Sequence, residues 1–414
     1  MAASIRSLQG GTRLLFDSVQ GVTNTVERMH ESIARQATPW RNLSLRQDAG
    51  ARPGKARPGR AHGIIASAVY ATIRGINGTL REGVDASFEL FAKDMDSPDR
   101  SRPEIRLASA LNGAFGDHLE DTGNALAIPM QLLAGHAPLQ ITRAALACAL
   151  PQASPHLVVL VHGLGLSELS WQRKGAAGLE GRLQEALQST TLSLRYNSGR
   201  HISTNGREFA QLLQQLCEAW PVPVESLSLV GHSMGGLVIR SACWYAAESQ
   251  ADWLQHLQRV VCLGTPHHGA PLEKAGHAFN AALQKLPYTE ALTLGRRRSA
   301  GVKDLQYGDL LDEDWQPHHP DMPRPDTRKV VPLLPEVDYY FAAATVGRHR
   351  RDTLGHILGD LLVRLDSAVG IHADELRQLN VKPENCRIFH DRHHFDLLSD
   401  QQVQEQIIEW LHRD

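Results

Sequence analysis

The residues best suited to chemistry form a Gly-x-Ser-x-Gly motif at positions 231–235, with Ser233 at its centre. The motif directly follows the largely apolar run 227–230 and directly precedes an apolar, helix-like stretch. A serine on a tight strand-to-helix turn projects its hydroxyl outward and has the N-terminus of the new helix behind it. Gly231 and Gly235 provide room, because a side chain at either position would collide with the crowded backbone. This context predicts that Ser233 is a nucleophile.

A glycine-rich turn at 161–165 follows an earlier apolar run and could stabilise the oxyanion that a serine attack creates. Backbone N–H groups in such a turn can approach a substrate carbonyl oxygen. We expect the donors to be the amides of Leu164 and Met234, the latter being the residue after the nucleophile. His162 is expected to orient this turn rather than to act as a base.

The base that activates the serine is expected near the C-terminus, because α/β folds with such a serine turn place the triad in the order Ser, Asp or Glu, His. His394 is preferred, since it opens a His-x-x-Leu-Leu segment that leads to a predicted final helix at about 400–411. His393 and His390 remain alternatives. Any of the three could also be a solvated loop histidine.

The acid is expected after the predicted strand 339–346. Asp360 follows a glycine and precedes apolar residues, so it could be buried and could hold the tautomer of His394. Asp366 is the alternative, and either aspartate could instead cap a helix.

From about residue 151 onward, short apolar runs alternate with helical stretches. Such alternation predicts an α/β fold with a doubly wound, mostly parallel sheet. Ligands bind such sheets at the carboxyl ends of the strands, where the polar motifs fall. The runs lie at 157–161, 192–196, 227–230, 260–264, 339–346 and 386–390.

We expect the catalytic domain to span 150–414, with a cap or lid insertion at 271–335. The insertion contains leucines between 283 and 294, three arginines at 296–298 and an acidic stretch at 309–314. A movable apolar cover could exclude water and receive acyl chains. A permanently packed helical excursion is the equally weighted alternative.

Residues 1–135 show helical periodicity with no convincing strand, which predicts an α-helical N-terminal extension. Its apolar stripes lie at 5–33, 69–91 and 107–119, with a basic, Pro- and Gly-rich linker at 46–62. Three interpretations stay open for the stripes: packing within the chain, a homo-oligomer interface, or one helix lying on a membrane surface.

The composition narrows the function classes. The chain has 414 residues and a formal net charge of -2, which gives no support for a nucleic-acid partner. Its five scattered cysteines are typical of reduced core residues. Met1–Gly21 lacks the apolar core and cleavage site of a signal peptide, and no run is long enough to span a membrane, so a cytoplasmic location is expected. Neither a cofactor nor a metal is expected. A zinc site at His267 and His268 is disfavoured, because adjacent histidines point in different directions.

Five motifs together resemble those of α/β-hydrolases of the bacterial lipase and esterase group, close to GPI-inositol-deacylase-like hydrolases. The resemblance implies an α/β-hydrolase fold and ester hydrolysis through an acyl-enzyme, and it leaves the N-terminal helices outside the family core. One departure is Leu361, which stands where the family commonly has the second glycine of Gly-Asp-Gly-Leu-Val. The motifs lie at 161–164, 231–236, 264–269, 359–363 and 394–398.

The resulting hypothesis is a serine hydrolase that cleaves carboxylic esters with Ser233, His394 and Asp360. The resemblance and the apolar insertion imply a lipid or another hydrophobic ester as substrate. An acyltransferase that uses the same acyl-enzyme and a noncatalytic interaction protein are the alternatives. Residues expected to shape the substrate pocket are His162, Gly163, His232, Thr265 and His267.

Overall fold

The computed structural model describes residues 102–172, 178–270, 298–319, 324–347, 360 and 362–412. The apolar stripes 5–33 and 69–91, the linker 46–62 and the first part of the insertion, 271–297, lie outside the described residues. The chain divides into two compact units, and only Asn124–Leu126 of the first unit is described. The described helices and strands all belong to the second unit.

Eight strands form a single sheet in the order β2-β1-β4-β3-β5-β6-β7-β8. Strands β3 to β8 pair in parallel, while β1 is antiparallel to both β2 and β4. All six predicted strands are present, and the predicted mostly parallel α/β fold is confirmed. The strands are β1 (Gln131–Ala134), β2 (Ala137–Pro138), β3 (His156–Val161), β4 (Thr190–Arg195), β5 (Ser226–His232), β6 (Leu257–Leu263), β7 (Asp338–Thr345) and β8 (Cys386–His390).

Nine α-helices are found in the described residues: α1 (Arg102–Asp121), α2 (Arg143–Ala149), α3 (Leu179–Leu187), α4 (Ile202–Ala219), α5 (Met234–Glu248), α6 (Ala300–Tyr307), α7 (Asp312–Trp315), α8 (Leu365–Ala368) and α9 (Gln401–His412). Short 3₁₀ helices lie at Glu168–Trp171, Asp252–His256, Glu375–Arg377, Pro383–Asn385 and His394–Leu398. Within the described residues, none of the helices has the length and apolar character needed to cross a membrane.

Helices cover both faces of the sheet, which explains why its central strands are continuous apolar runs. Neighbouring residues of a strand point to opposite faces. Val159 of β3 accordingly belongs to an apolar cluster that includes residues of α4 and α5. Leu160, the next residue, belongs to a second cluster that includes residues of α3 and α9.

The sheet begins earlier than the sequence indicates, since β1 and β2 precede the expected domain boundary at 150 and β1 lies in the region expected to be helical. These strands have four and two residues, too short for a periodic pattern to reveal. Pairing with β4 supports them, as in the register of Leu133 opposite Ser193. Helix α1, the third predicted helix, belongs to the same compact unit, and the Ser299 hydroxyl donates to its Gly113 carbonyl at 2.7 Å.

The described part of the insertion packs against the sheet-covering helices. The buried carboxylate of Asp304 accepts a hydrogen bond from the Ile202 amide at the start of α4, at 2.7 Å. The Ser241 hydroxyl of α5 donates to the Leu310 carbonyl at 2.7 Å. Whether the insertion at 271–335 is a movable lid or a permanently packed excursion stays a prediction.

The chain leaves β3 for β4 on one side and later returns to β5 on the other. Such a reversal opens a crevice at the carboxyl ends of the two central strands. His162 follows β3 directly and Ser233 follows β5 directly, so the fold brings the glycine-rich turn and the serine motif to the same crevice.

Candidate active site

Ser233 lies in the sharp turn between β5 and α5, with a φ of 55° and a ψ of −122°. A non-glycine residue in such a conformation carries strain of about 1–3 kcal/mol and persists only where its surroundings enforce it. One such constraint is the Ser233 amide, which donates to the Leu263 carbonyl at the end of β6, at 2.8 Å. The turn therefore fixes the serine at the carboxyl end of the central strand β5.

The glycines of the motif are required by close backbone contacts. A Cβ at Gly231 would lie 2.6 Å from the Gly236 nitrogen, and one at Gly235 would lie 2.2 Å from the Val161 oxygen. No side chain fits at these distances, so helix α5 can approach β3 and β5 only with glycine here.

His394 and Asp360 form a buried pair. The Nδ1 of His394 lies 2.6 Å from Oδ2 of Asp360, and the two side chains are 3% and 1% exposed. The other carboxylate oxygen accepts the amides of Leu362 and Val363 at 3.0 and 2.7 Å. A hydrogen bond from Nδ1 to the carboxylate leaves Nε2 with a lone pair, which is the tautomer that a general base needs.

The His394 ring lies beside the residues that flank Ser233. Its centroid is 4.7 Å from that of His232, whose Nε2 also lies 3.2 Å from the His394 carbonyl. A Cβ at Gly264 would come within 3.1 Å of the His394 ring, so the imidazole packs on the bare backbone after Leu263. These contacts place the imidazole next to the serine turn.

The alternative acid and bases lie elsewhere. Asp366 is exposed in the first turn of α8. His393 is exposed, and the half-buried His390 has its Nδ1 3.3 Å from the Gly347 carbonyl. Of the residues considered from the sequence, the structure brings together Asp360 and His394.

The glycine-rich turn at 161–165 lies against Ser233. A Cβ at Gly163 would be 3.0 Å from Cβ of Ser233. Within the described residues, no acceptor is found for the Leu164 amide, and the Met234 amide is the first of α5 and has no intrahelical partner. These two N–H groups could serve a negatively charged oxygen.

Sequence reasoning missed the residues that hold this turn. The Tyr196 hydroxyl donates to the His162 carbonyl at 2.8 Å, and the Gly165 amide donates to the Ser198 hydroxyl at 2.9 Å. Glu168, 1% exposed, pairs with Arg195, with Oε2 2.9 Å from Nε. The available signal was the position of Arg195, Tyr196 and Ser198 at and just after the carboxyl end of β4, the strand beside β3.

The polar residues expected to shape the pocket are buried under the site. Burial lowers the pKa of His162 to about 4 and keeps those of His232 and His267 well below their ordinary range, so all three rings are neutral at pH 7. Thr265 is fully buried, and its hydroxyl would be 2.0 Å from a Cβ at Gly236. Their side chains support the loops, whereas the apolar ring of Phe395, 49% exposed, packs edge-on against His394.

The described residues contain no group of three or more His, Cys, Asp or Glu side chains arranged to hold a metal ion. His267 and His268 face different neighbours, with ring centroids 4.3 Å from Phe341 and 4.7 Å from His372 respectively.

Comparison with known proteins identifies one family match, in which residues 198–318 match the family described as "PGAP1-like alpha/beta domain". No curated protein matches the sequence significantly. The solved structures that are similar include the following three. The mature lipase BlEst2 of Bacillus licheniformis has 19% identity, covering 63% of this chain and 92% of that chain, with a TM-score of 0.39. Lipase B of Aspergillus fumigatus has 11% identity over 70% and 57% of the two chains, with a TM-score of 0.40. An esterase of Pyrococcus furiosus has 13% identity over 62% and 83%, with a TM-score of 0.34.

The fold is defined by the sheet and by the family match. The sheet has a mostly parallel eight-stranded order, with the serine turn between its fifth strand and the following helix. The matched segment contains that turn. The described part of the chain has a mostly parallel α/β fold, and its segment 198–318 is similar to the PGAP1-like alpha/beta domain family.

Proposed function

We propose that the chain is a serine hydrolase of carboxylic esters. The observation that carries the proposal is the strained Ser233 beside the buried pair of His394 and Asp360, whose Nδ1 and Oδ2 are 2.6 Å apart. A serine held at φ 55° is costly to the fold, and a buried imidazole–carboxylate pair next to it provides the base that a hydroxyl nucleophile requires.

In the first half of the reaction, Oγ of Ser233 attacks the ester carbonyl carbon while Nε2 of His394 accepts the hydroxyl proton. The carboxylate of Asp360 stabilises the resulting imidazolium. The carbonyl oxygen becomes an oxyanion, to which the amides of Leu164 and Met234 donate. Collapse of this intermediate breaks the ester C–O bond, and the alcohol leaves with the proton from His394.

In the second half, a water molecule attacks the acyl-enzyme and gives its proton to Nε2 of His394. The C–O bond to Ser233 then breaks, the serine oxygen recovers a proton, and the carboxylic acid is released. One ester and one water thus give one alcohol and one acid.

A hydrophobic ester is the proposed substrate class. Phe395 exposes nearly half of its surface next to His394. The partly exposed Leu164 follows Gly163 in the glycine-rich turn at 161–165. An apolar acyl chain would cover both side chains and remove them from water. Contact with the surface of a lipid aggregate is part of this proposal.

The test is covalent labelling with a fluorophosphonate, combined with hydrolysis of p-nitrophenyl esters from acetate to palmitate, with and without lipid vesicles. We expect one label on the peptide that contains Ser233, faster turnover of longer acyl chains, and loss of both labelling and turnover in Ser233→Ala. Ser249→Ala is the matched control, because its hydroxyl lies at the other end of α5, bonded to the Tyr245 carbonyl.

Hydrolysis by a folded Ser233→Ala protein at the wild-type rate would contradict the proposal. Wild-type protein that neither labels nor turns over any ester would contradict it equally and favour a noncatalytic role. Transfer of the acyl group to an added alcohol, in preference to water, would reassign the same acyl-enzyme to an acyltransferase.

A further inference from the structure

A cavity of about 590 Å³ lies beside His267, on the loop that follows β6. Helix α5, the loop 265–269, the segment 328–339 and the segment 375–382 contribute to its lining. None of Ser233, Asp360 and His394 lines it. Its volume is within the range of small-molecule sites, which is about 300–1,000 Å³.

Arg240 of α5 provides a buried positive charge in the cavity wall. It is only 5% exposed, and within the described residues no carboxylate lies within ion-pair distance of it. Burial lowers the pKa of Arg240 to about 10, so the guanidinium stays charged at pH 7. A buried charge without a counter-ion is costly, because nothing replaces the water that it loses.

The hydrogen-bonding groups of Arg240 are only partly used. One terminal nitrogen donates to the Val331 carbonyl at 2.8 Å, and the other lies 3.4 Å from Nδ1 of His267. Within the described residues, the buried Nε has no partner at hydrogen-bonding distance. Since Nδ1 of His267 accepts from the guanidinium, its ring proton lies on Nε2, which also lacks a partner among the residues that the structure describes.

Two other charged residues of the lining, Arg328 and Asp314, have hydrogen-bond partners of their own. Arg328 is held by Asp326, with a distance of 2.7 Å between Nη2 and Oδ2. One carboxylate oxygen of Asp314 accepts the amides of Leu310 and Leu311, and the other accepts that of Lys329. Arg240, by contrast, keeps an unused N–H group within the described residues, and one guanidinium suits a monoanion better than a dianion.

Beside polar and charged residues such as Asp338, Glu375 and Lys382, the lining has apolar residues that reach solvent. Val330 and Leu376 line the cavity and are 42% and 78% exposed, two of the four large exposed hydrophobic residues in the described part of the chain. The segment 331–335 adds valine, leucine and proline side chains. The cavity thus combines an interior cation with an apolar path to the surface.

We propose that this cavity binds a carboxylate with an apolar tail, its head on Arg240 and its chain along the path to Leu376. Parallel N–H groups of a guanidinium match the two oxygens of a carboxylate. The tail removes Val330 and Leu376 from water. The site is separate from the proposed catalytic centre and does not depend on its activity.

Calorimetric titration of the full chain with octanoate tests the proposal. Acetate keeps the head without the tail, and 1-octanol keeps the tail without the charge. Each should bind at least about tenfold more weakly than octanoate, a difference of about 1.4 kcal/mol. Ser233→Ala should bind octanoate as tightly as the wild type does.

Two surface variants locate the binding. Leu376→Glu places a negative charge on the tail path and should weaken octanoate binding about tenfold or more. Ile371→Glu is the matched control, since Ile371 is also an exposed apolar residue, 50% exposed, and does not line the cavity. Arg240→Gln should abolish binding, and Arg240→Lys, which keeps the charge without the parallel donors, should weaken it.

Absence of octanoate binding to the wild type would overturn the proposal. Equal weakening by Leu376→Glu and Ile371→Glu, or by neither, would place the ligand elsewhere and would also overturn it. Tighter binding of inorganic phosphate than of octanoate would reject a carboxylate with an apolar tail as the ligand class. Because Leu376 is far more exposed than Arg240, its variant tests the site even if the arginine variants fail to fold.

Discussion

Asp360 binds the His394 imidazole with one carboxylate oxygen and the backbone with the other. Oδ2 lies 2.6 Å from Nδ1 of His394, and Oδ1 accepts the Val363 amide at 2.7 Å. The His394 amide also donates to the Asp360 carbonyl at 3.4 Å. The two residues therefore hold each other through both side chain and backbone, and a change at Asp360 should affect the orientation of the ring.

Asp360→Asn should lower kcat for a p-nitrophenyl ester by about 10³–10⁴-fold, because the amide presents no charge to the imidazolium and favours the wrong tautomer. Asp366→Asn is the matched control, since Asp366 is exposed on α8 and should leave kcat nearly unchanged. A larger loss at Asp366 than at Asp360 would transfer the role of acid to Asp366.

Gly264→Ala should impair catalysis through the position of His394. Gly264 has a φ of 58°, and its new Cβ would lie 3.1 Å from the imidazole and 2.9 Å from a methyl group of Leu397. Moving a catalytic group by about 1 Å can cost about 10²-fold in rate, so we expect a large loss of kcat.

Gly135→Ala is the control for backbone strain, because Gly135 has a φ of 61° and no atom within 4 Å of the added Cβ. Both variants should lose about 1–2 kcal/mol of unfolding free energy from the left-handed conformation, and only Gly264→Ala should lose activity. Equal rates in the two variants would show that Gly264 does not position His394.

Glu168→Gln should destabilise the protein by about 3–5 kcal/mol, because it leaves the largely buried Arg195 without its counter-charge. Glu313→Gln is the comparison, since Glu313 is 61% exposed and its oxygen lies 3.7 Å from Lys329. Loss of that exposed pair should cost less than about 1 kcal/mol. Urea denaturation of both variants measures the difference, and similar losses would contradict the expectation.

Stability should decrease as the pH falls from 6.5 towards 4. Burial lowers the pKa of His162 from 6.5 to about 4, and the pKa values of His232, His267 and His268 are lowered in the same direction. Between these values the unfolded chain binds more protons than the folded one, so the unfolding free energy rises with pH. The displacement at His162 corresponds to on the order of 3 kcal/mol.

Urea denaturation between pH 4 and pH 8 measures this slope. His162→Gln should reduce it by up to one proton, whereas His412→Gln, at the exposed end of α9, should leave it unchanged. A slope of zero or of opposite sign in the wild type would be incompatible with neutral buried histidines.

The sequence predicts the central strands well because each is buried on both faces of the sheet and is therefore a continuous apolar run, as in Leu157–Val161. It misses β1 and β2, whose four and two residues are held by pairing with β4 rather than by any pattern of their own. Local pattern carries information about elements that bury two faces, and little about a short hairpin at the sheet edge.

The site shows the same division. The Ser233 turn is readable because strand, glycines and helix are contiguous in the chain. Asp360 and Asp366 could not be separated from sequence, since both follow β7, and only folding shows that His394 meets Asp360. The sequence signal for Arg240 is weaker, a single charge within an otherwise apolar helical stretch. Its surroundings are set by distant segments such as the one containing Val331, and within the described residues they include no counter-ion.

The backbone conformation of Ser233 lowers the stability of the fold at the position that the proposed reaction requires. Glycine adopts a φ of 55° freely, so Ser233→Gly should raise the unfolding free energy by about 1 kcal/mol while removing the hydroxyl. A population of this chain selected only for heat resistance would be expected to drift towards glycine at 233. Serine is a residue that the fold alone does not favour there, and the proposed reaction would account for its retention.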